Sequence, residues 1–304
     1  MGTPQSAEHW IVVGTDGSER SLDAVDWAAL EAAERGLSLR ICHVLPPTRK
    51  GAPSIGQVGP GHPVDDVEEV GAQAGQDDRA AHSRAVLAAA ADRAGRLATG
   101  TRIEQTSLSG HPAEALVDAG AGAEALVLGS RGGGGFAALL LGAVSEQVAA
   151  HGRCPVLVVR GRRRGGPIAV GVDGSPRSQA ALGFAFARAA DLNVPVRAVH
   201  AYTLSMAVPS FGFVPDIGVE QITEGIEQML TEALRPWRER FPTVRVTTRI
   251  VEDVPSAALV AESRDCGLLV VGSRGHGGFV GLLLGSVSRH ALRHAVCPVA
   301  VVRS

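Results

Sequence analysis

The chain has 304 residues, a formal net charge of −2, 45% hydrophobic residues and 20% charged residues. This length favours two domains, each large enough to bury its own core. The near-neutral charge argues against nucleic acid as the main partner, because phosphate-backbone binding requires clustered excess Lys and Arg. No apolar run approaches the ~18 residues that cross a bilayer, and residues 1–10 lack the apolar core of a secretory signal. We therefore expect a cytoplasmic protein that binds neither nucleic acid nor a membrane.

Along the first half of the sequence, β-rich runs alternate with helical runs. The predicted strands are Trp10–Gly14, Ser38–Leu45, Thr101–Leu108, Ala125–Gly129 and Val156–Val159. The predicted helices between them are Ser21–Arg35, Asp77–Ala98, Pro112–Ala121 and Val144–Ala150. Continuous apolar strands such as Ile11, Val12 and Val13 are typical of a parallel sheet that is covered on both faces. Alternating strands and helices predict a doubly wound α/β sheet, in which ligands bind beyond the carboxyl ends of the strands.

The second half of the sequence repeats the first. Val13–Ser18 recurs as Val170–Ser175, a shift of 157 residues, and Gly129–Gly132 recurs as Gly272–Gly275, a shift of 143 residues. We therefore predict two tandem Rossmann-like domains, residues 8–160 and 167–304, joined by a short linker rich in glycine and arginine. Each domain is expected to contain a mostly parallel five-stranded sheet with helices on both faces.

The change of shift means that the first copy carries 14 additional residues. The Pro- and Gly-rich stretch Pro46–Gly75 is the expected place for them, as an extra loop. The acidic run Asp65–Glu69 falls inside this stretch and is expected to be solvated loop.

A glycine-rich segment follows the fourth predicted strand in both copies. In the second copy its glycines, at positions n, n+3 and n+13, are Gly272, Gly275 and Gly285, followed by Ser286 and Ser288. Glycines at the end of a strand allow backbone N–H groups to approach a phosphate closely. The helix that begins there presents unpaired N–H donors and a dipole that favours anions, and serine hydroxyls add donors. The same residues would also make ordinary turns and an N-cap, but the repeated spacing favours a phosphate site.

An acidic residue follows the first strand in both copies, Asp16 in the first and Asp173 in the second. At the carboxyl end of the sheet, its oxygens can accept hydrogen bonds from ribose hydroxyls or a purine amine. Ser18 and Ser175 come two residues later and can cap the next helix while the acid faces a ligand.

These two motifs, at these places in both halves, resemble the universal stress protein family. In the ATP-binding branch of that family, the glycine pattern holds the phosphates and the acid contacts the nucleoside. The resemblance therefore implies that each copy binds an adenine nucleotide, with ATP and Mg²⁺ as the expected cofactors. The implied contact residues are Thr15, Asp16, Val44, Gly129, Arg131, Gly132, Gly142 and Ser145 in the first copy, and Asp173, Ala201, Gly272, Arg274, Gly275, Gly285, Ser286 and Ser288 in the second.

Each copy departs from the family pattern at one place. Ala143 occupies a position of the first copy where Ser or Thr is expected, which removes one hydroxyl that would contact a phosphate. The second copy has Asp253 in the position of Gly110, close to the end of the third strand. We therefore expect nucleotide binding to be weaker in the first copy.

Three functions remain open from the sequence. The leading one is a non-catalytic adenine-nucleotide-binding stress regulator, with no catalytic or metal-binding residues of its own. The second is an enzyme of the same fold, either a slow ATPase or a nucleotidyl transferase. However, Lys50 is the only lysine and follows an arginine, which excludes a P-loop. The third is a nucleotide-free dimerisation scaffold, against which the glycine spacing argues.

Each copy ends on an apolar run, Val156–Val159 in the first and Val299–Val302 in the second. A fifth strand at the edge of a sheet leaves unpaired backbone groups. The family resemblance implies that such strands pair across a pseudo-two-fold axis, so we expect the two copies to pair within the chain. We also expect the tandem chains to form homodimers.

Overall fold

The computed structural model describes residues 9–47, 65–132, 141–160, 165–203, 219–275 and 283–303, and it describes only the backbone of residues 65–76 and 219. Within these residues each half contains five strands and four helices. The elements of the first half are β1 (Trp10–Gly14), α1 (Glu19–Arg35), β2 (Ser38–Leu45), α2 (Asp65–Leu97), β3 (Ile103–Ser109), α3 (Pro112–Ala119), β4 (Ala125–Gly129), α4 (Ala143–His151) and β5 (Val156–Val159). Those of the second half are β6 (Ile168–Gly171), α5 (Pro176–Leu192), β7 (Val196–Tyr202), α6 (Val219–Arg240), β8 (Val246–Glu252), α7 (Pro255–Glu262), β9 (Leu268–Gly272), α8 (Ser286–His294) and β10 (Val299–Val302).

All ten strands form one sheet in the order β3-β2-β1-β4-β5-β10-β9-β6-β7-β8. Neighbouring strands within each half are parallel. The direction of winding reverses between β1 and β4 in the first half and between β6 and β9 in the second. Such a reversal opens a crevice at the carboxyl ends of the two strands. The predicted doubly wound five-stranded sheet is therefore confirmed in both halves.

The two halves join through their last strands, as the sequence predicts. β5 and β10 are antiparallel, with Leu157 opposite Ala300 and Val156 opposite Val301. Leu157 and Ala300 are equivalent positions of the repeat, so the pseudo-two-fold axis passes between them. This pairing satisfies the backbone groups that two separate edge strands would leave exposed.

The sheet separates two apolar cores, because successive strand residues point to opposite faces. Ile11 and Val13 face a core that includes residues of α1, α2, α5 and α6, whereas Val12 faces one that includes residues of α3, α4, α7 and α8. Helices therefore cover both faces, which explains why the inner strands β1, β4, β5, β6, β9 and β10 are apolar without alternation. Among the described residues, no helix combines the length and apolar character that crossing a membrane requires.

The main correction to the sequence prediction concerns α2. The helix begins at Asp65 and has 33 residues, whereas the sequence indicated a loop through Gly75 and a helix from Asp77. The acidic run Asp65–Glu69 is therefore the first turn of a helix and not loop. Negative side chains are favoured at a helix N-terminus, and residues 65–97 contain no proline, which explains the longer helix. The remaining part of the predicted insertion, residues 48–64, lies outside the described residues.

The junction between β5 and β10 generates a stability prediction. Leu157 is fully buried at this junction, whereas Leu97, at the end of α2, is 42% exposed. We expect Leu157→Ala to lower the free energy of unfolding by about 2–5 kcal/mol, because it removes buried methyl groups and leaves a cavity. Leu97→Ala, the matched control, should change it by roughly 0.5 kcal/mol or less. Equal effects in denaturant titrations of the two variants would show that the junction does not stabilise the fold.

Candidate functional site

Each half makes a sharp turn after its first strand, and hydrogen bonds to the acidic residue of the turn stabilise it. Asp16 Oδ1 accepts a hydrogen bond from the Ser18 N–H at 3.1 Å and one from the Ser18 hydroxyl at 2.6 Å. Asp173 Oδ1 likewise accepts one from the Ser175 N–H at 3.0 Å. Gly17 has a φ of 78°, a left-handed conformation that glycine adopts without strain. The turns hold both carboxylates at the carboxyl edge of the sheet.

The serines of these turns cap the next helix, as the sequence predicts. Ser18 Oγ accepts a hydrogen bond from the Ser21 N–H at 3.4 Å, and Ser175 Oγ accepts one from the Ser178 N–H at 3.2 Å. In each half, one turn therefore both caps the next helix and holds the acid at the edge of the sheet. Thr15, a predicted contact residue, is buried, and its hydroxyl lies 2.9 Å from the Ser21 hydroxyl.

The second oxygen of each acid lies against a glycine that follows the fourth strand. A Cβ atom on Gly132 would lie 2.3 Å from Asp16 Oδ2, and one on Gly275 would lie 2.4 Å from Asp173 Oδ2. A side chain at either position would force the carboxylate to move, so glycine permits this contact. The two sequence motifs therefore meet in space, because the strands that precede them are neighbours in the sheet.

A second glycine allows the strand itself to approach the first helix of each half. A Cβ atom on Gly129 would lie 2.5 Å from the Arg20 carbonyl oxygen, and one on Gly272 would lie 3.2 Å from the Arg177 backbone. The fourth strand therefore ends directly beneath the first turn of α1 or α5. This packing brings Arg20 and Arg177 close to the glycine-rich segments.

The helices after the glycine-rich segments, α4 and α8, begin without a side-chain cap. Their N-cap residues are Gly142 and Gly285, and neither helix has a side-chain hydrogen bond that caps its first-turn N–H groups. Without such a cap, N–H groups of the first turn can bind an anion. The first helical residues are Ala143 and Ser286, and both are exposed.

The two buried serines of these helices have a different role from the exposed Ser286. Ser145 donates its hydroxyl proton to the Gly129 carbonyl at 2.7 Å, and Ser288 donates to the Ser273 carbonyl at 3.0 Å. Both bonds tie the helix to the end of the fourth strand. The sequence suggested these hydroxyls as phosphate donors, but in the structure their protons point at carbonyl oxygens.

Three arginines of each half are close enough to interact electrostatically: one in the first helix, one in the glycine-rich segment and one directly after the last strand. Burial, followed by the charges of Arg131 and Arg20, lowers the pKa of Arg160 to about 10. Burial, followed by the charges of Arg274 and Arg177, lowers the pKa of Arg303. Because like charges repel, each cluster favours an anion that would neutralise it.

Of these six arginines, only Arg131 and Arg274 were predicted as site residues. The internal repeat of the sequence could have identified the other four. Arg20 recurs as Arg177, and Arg160 recurs as Arg303, at the shifts that the motifs show.

In the second half, all eight predicted site residues line one cavity of about 650 Å³. Asp173 and Ala201 lie at strand ends on one side, and Ser286 lies at the start of α8 on the other. The cavity is also lined by Val254 and Pro255, where α7 begins. The sequence analysis missed these two residues, although the nearby Asp253 already marked a departure from the family pattern.

The first half presents a different environment at the equivalent strand end. Val44 lines a separate cavity of about 350 Å³ together with His43, Arg79 and His82. His43 Nδ1 lies 2.9 Å from the Ser83 hydroxyl, and the His43 and His82 rings meet edge to face at 6.1 Å. Residues 133–140 of the glycine-rich segment lie outside the described residues, as do residues 276–282 of the second copy.

A doubly wound sheet with a glycine-rich segment and an uncapped helix N-terminus at its reversal point defines a Rossmann-like α/β protein. The model of the Universal stress protein family matches residues 9–160 and 166–303. The chain therefore belongs to the universal stress protein family and contains two tandem copies of its domain. No group of three or more His, Cys, Asp or Glu side chains suited to a metal ion is present in the described part of the chain.

The chain aligns over nearly its whole length with curated universal stress proteins. A universal stress protein of Mycolicibacterium smegmatis is 34% identical over 311 residues, which cover 98% of this chain and 99% of the relative. The universal stress protein Rv2005c of Mycobacterium tuberculosis is 35% identical over 310 residues, with coverage of 100% and 99%. The crystal structure of a universal stress protein from Archaeoglobus fulgidus aligns with 98% of this chain at a TM-score of 0.68 and 19% identity, a likeness of fold.

The buried His43 predicts a pH dependence of stability. Burial and the charge of His82 lower the pKa of His43 below its ordinary value of 6.5, while the charge of Asp16 opposes this shift. The unfolded chain therefore takes up this proton at a higher pH than the folded chain. The resulting stability is present above pH 6.5 and is lost as the pH falls through the folded pKa.

We expect His43→Gln to flatten the fall in melting temperature between about pH 7.5 and about pH 5. His151→Gln, at the exposed end of α4, is the control and should leave the fall unchanged. The interpretation is wrong if the His43 variant retains the full wild-type dependence in calorimetry.

Proposed function

We propose that both halves bind an adenine nucleotide, with ATP as the ligand, and that the chain is a non-catalytic regulator in the stress response. The observation that carries this proposal is the convergence of Asp173, Gly275 and the uncapped N-terminus of α8 on one cavity. Its volume of about 650 Å³ lies within the ~300–1,000 Å³ range of small-molecule sites.

The phosphates are assigned to the side of the cavity formed by the glycine-rich segment and α8. There Gly275 has no side chain to exclude a phosphate, and the first-turn N–H groups of α8 supply donors. Arg274 lines the cavity, and Arg177 and Arg303, which do not line it, add positive charge nearby. A triphosphate is the adenine-nucleotide tail that best compensates three guanidinium groups.

The nucleoside is assigned to the opposite side, at the ends of β6 and β7. Asp173 holds one oxygen in its own turn and presents the other beside Gly275, where it can accept hydrogen bonds from ribose hydroxyls. Val199, Ala201 and Leu259 contribute apolar surface that a purine ring can contact. The same chemistry is available to Asp16 in the first half.

The residues that line the cavity favour nucleotide binding without catalysis. Hydrolysis requires a base that orients the attacking water. Asp173 is the only carboxylate among the described residues that line the cavity, and its Oδ1 is already held by the Ser175 N–H in its own turn. Measurement of phosphate release from ATP over hours tests this part of the proposal, and steady turnover would establish an ATPase.

The remaining parts of the proposal follow from the ligand and the surroundings. Mg²⁺ would accompany ATP, since Mg²⁺ keeps several waters and binds largely through phosphate oxygens. The four cysteines are buried free thiols, which fits the cytoplasm. The chains are proposed to form homodimers, and they must do so through a surface other than β5 and β10, which already pair within the chain.

The first test of the proposal is ligand-induced stabilisation. ATP should raise the melting temperature, because a ligand selective for the folded state stabilises it by about 2.7 kcal/mol at ~100 times its dissociation constant. Gly275→Trp should abolish the second-half site, and Gly132→Trp the first-half site, because each fills the space beside the acid. Gly225→Trp is the matched control, at an exposed glycine with nothing within 4 Å of its Cβ position.

Protein stripped of co-purified nucleotide would be titrated with ATP, ADP and AMP by calorimetry. The absence of heat and of any thermal shift with all three would rule out nucleotide binding.

The second test concerns the asymmetry between Ala143 and Ser286, the first residues of α4 and α8. Ser286 can donate a hydroxyl to a phosphate, and a hydrogen bond to a charged group contributes roughly 1.5–3 kcal/mol. We therefore expect the second site to be tighter, with Ser286→Ala weakening it on the order of tenfold or more. Ala143→Ser should strengthen the first site correspondingly.

The sites are separated by repeating the titration in Gly132→Trp and Gly275→Trp backgrounds. Loss of the tighter site in the Gly132 variant, or an unchanged first-site affinity in the Ala143→Ser variant, would contradict this assignment.

A further inference from the structure

A buried ion pair crosses the interface between the halves. Glu31 of α1 and Arg188 of α5 are 0% and 4% exposed. Arg188 donates to both carboxylate oxygens of Glu31, with Nη2 2.5 Å from Oε2. The Arg188 guanidinium also lies over the Trp27 ring, 4.5 Å from its centre. A bidentate pair of this kind is strongly directional and leaves neither charge isolated.

Glu31 and Arg188 are the same position of the repeat. They are separated by 157 residues, the shift that relates Asp16 to Asp173. Residues that are equivalent under a pseudo-two-fold axis and also touch must lie beside that axis. Leu157 and Ala300, equivalent residues that face each other in β5 and β10, mark the same axis.

This placement makes the interface discriminate between partners. If two first halves paired through the same surface, the axis would bring Glu31 of one chain against Glu31 of the other. Two second halves would likewise oppose Arg188 with Arg188. Two Arg188 side chains would then be removed from water as opposed like charges, and two Glu31 carboxylates would be opposed with only Arg35 of their own helix, 3.7 Å away, to offset them. Both arrangements are unfavourable, whereas the observed pair is compensated.

A second cross-interface pair acts in the same sense. Arg293 of α8 lies 2.9 Å from Glu146 of α4. The repeat places Ala150 in the position of Arg293, so a pairing of two first halves would leave Glu146 without this partner. The two copies have therefore become chemically complementary at the surface that they share.

We infer that Glu31 and Arg188 form a pairing code: the surface of α1 and β5 accepts the second half of the chain and rejects another first half. The partner selected is a second half, and covalent linkage makes this the one in the same chain, because it is present at high effective concentration. The code keeps the tandem closed on itself and prevents chains from linking through like halves.

The first experiment reverses the charges in the full-length chain. Glu31→Arg and Arg188→Glu should each lower the unfolding midpoint and increase the radius of gyration in small-angle scattering, since each opposes like charges. The double variant E31R/R188E restores opposite charges, so it should recover more than half of either midpoint loss. A double variant whose loss equals the sum of the single losses would overturn the pairing code.

The second experiment separates partner selection from stability. E31L/R188L keeps the interface buried but removes the charges, so like halves are no longer rejected. After refolding from denaturant at high concentration, light scattering should show this variant in larger assemblies than the wild type. The control D26L/R93L removes the Asp26–Arg93 pair between α1 and α2, within one half, whose Nε–Oδ1 distance is 2.5 Å.

The control should keep the wild-type mass distribution. An E31L/R188L variant that refolds to the wild-type distribution would show that the ion pair does not select the partner.

Discussion

The antiparallel pairing of β5 with β10 is the interaction on which the rest of the molecule depends. Each half alone would end in an apolar edge strand with unpaired N–H and C=O groups. Pairing the two edges produces a single ten-stranded sheet and two continuous cores. Because the partner strand is in the same chain, the two halves meet at high effective concentration. Both candidate sites consequently lie at the edges of one continuous sheet.

The sites themselves depend on a steric constraint. At the end of the fourth strand, the chain passes so close to the acid of the first turn that a Cβ atom on Gly132 or Gly275 would overlap a carboxylate oxygen. Glycine therefore has two roles there: it permits the contact between the motifs and leaves space beside it for a phosphate. The buried bonds from Ser145 and Ser288 to the strand ends hold this arrangement in place.

Duplication has left the two halves alike where the fold needs it and different where the halves meet or bind. Glu31 faces Arg188 at the axis, and Ala143 stands where the second half has Ser286. At the axis, divergence supplies complementary charges that a symmetric pair cannot have. At the helix N-termini, it removes one donor from the first site and leaves the backbone donors intact.

The sequence alone predicts much of this molecule, because the relevant signals are local. Continuous apolar runs identify the parallel strands, and the repeated glycines, acids and serines indicate an anion site at one edge of each sheet. The pairing of β5 with β10 is predicted from the family resemblance. The sequence prediction failed at the start of α2, because helix propensity and proline-free length prevailed over the loop-like composition before Gly75.

Tertiary structure decided which side chains are available to a ligand. Ser145 and Ser288 look like phosphate donors in the sequence, but burial directs their protons to strand carbonyls. Arg160 and Arg303 look like strand ends, but the sheet carries them to the glycine-rich segments. The contact between Glu31 and Arg188 likewise exists only because folding brings positions 157 residues apart onto one axis. The repeat spacing shows that these positions are equivalent, but only the folded structure shows that their side chains are close together.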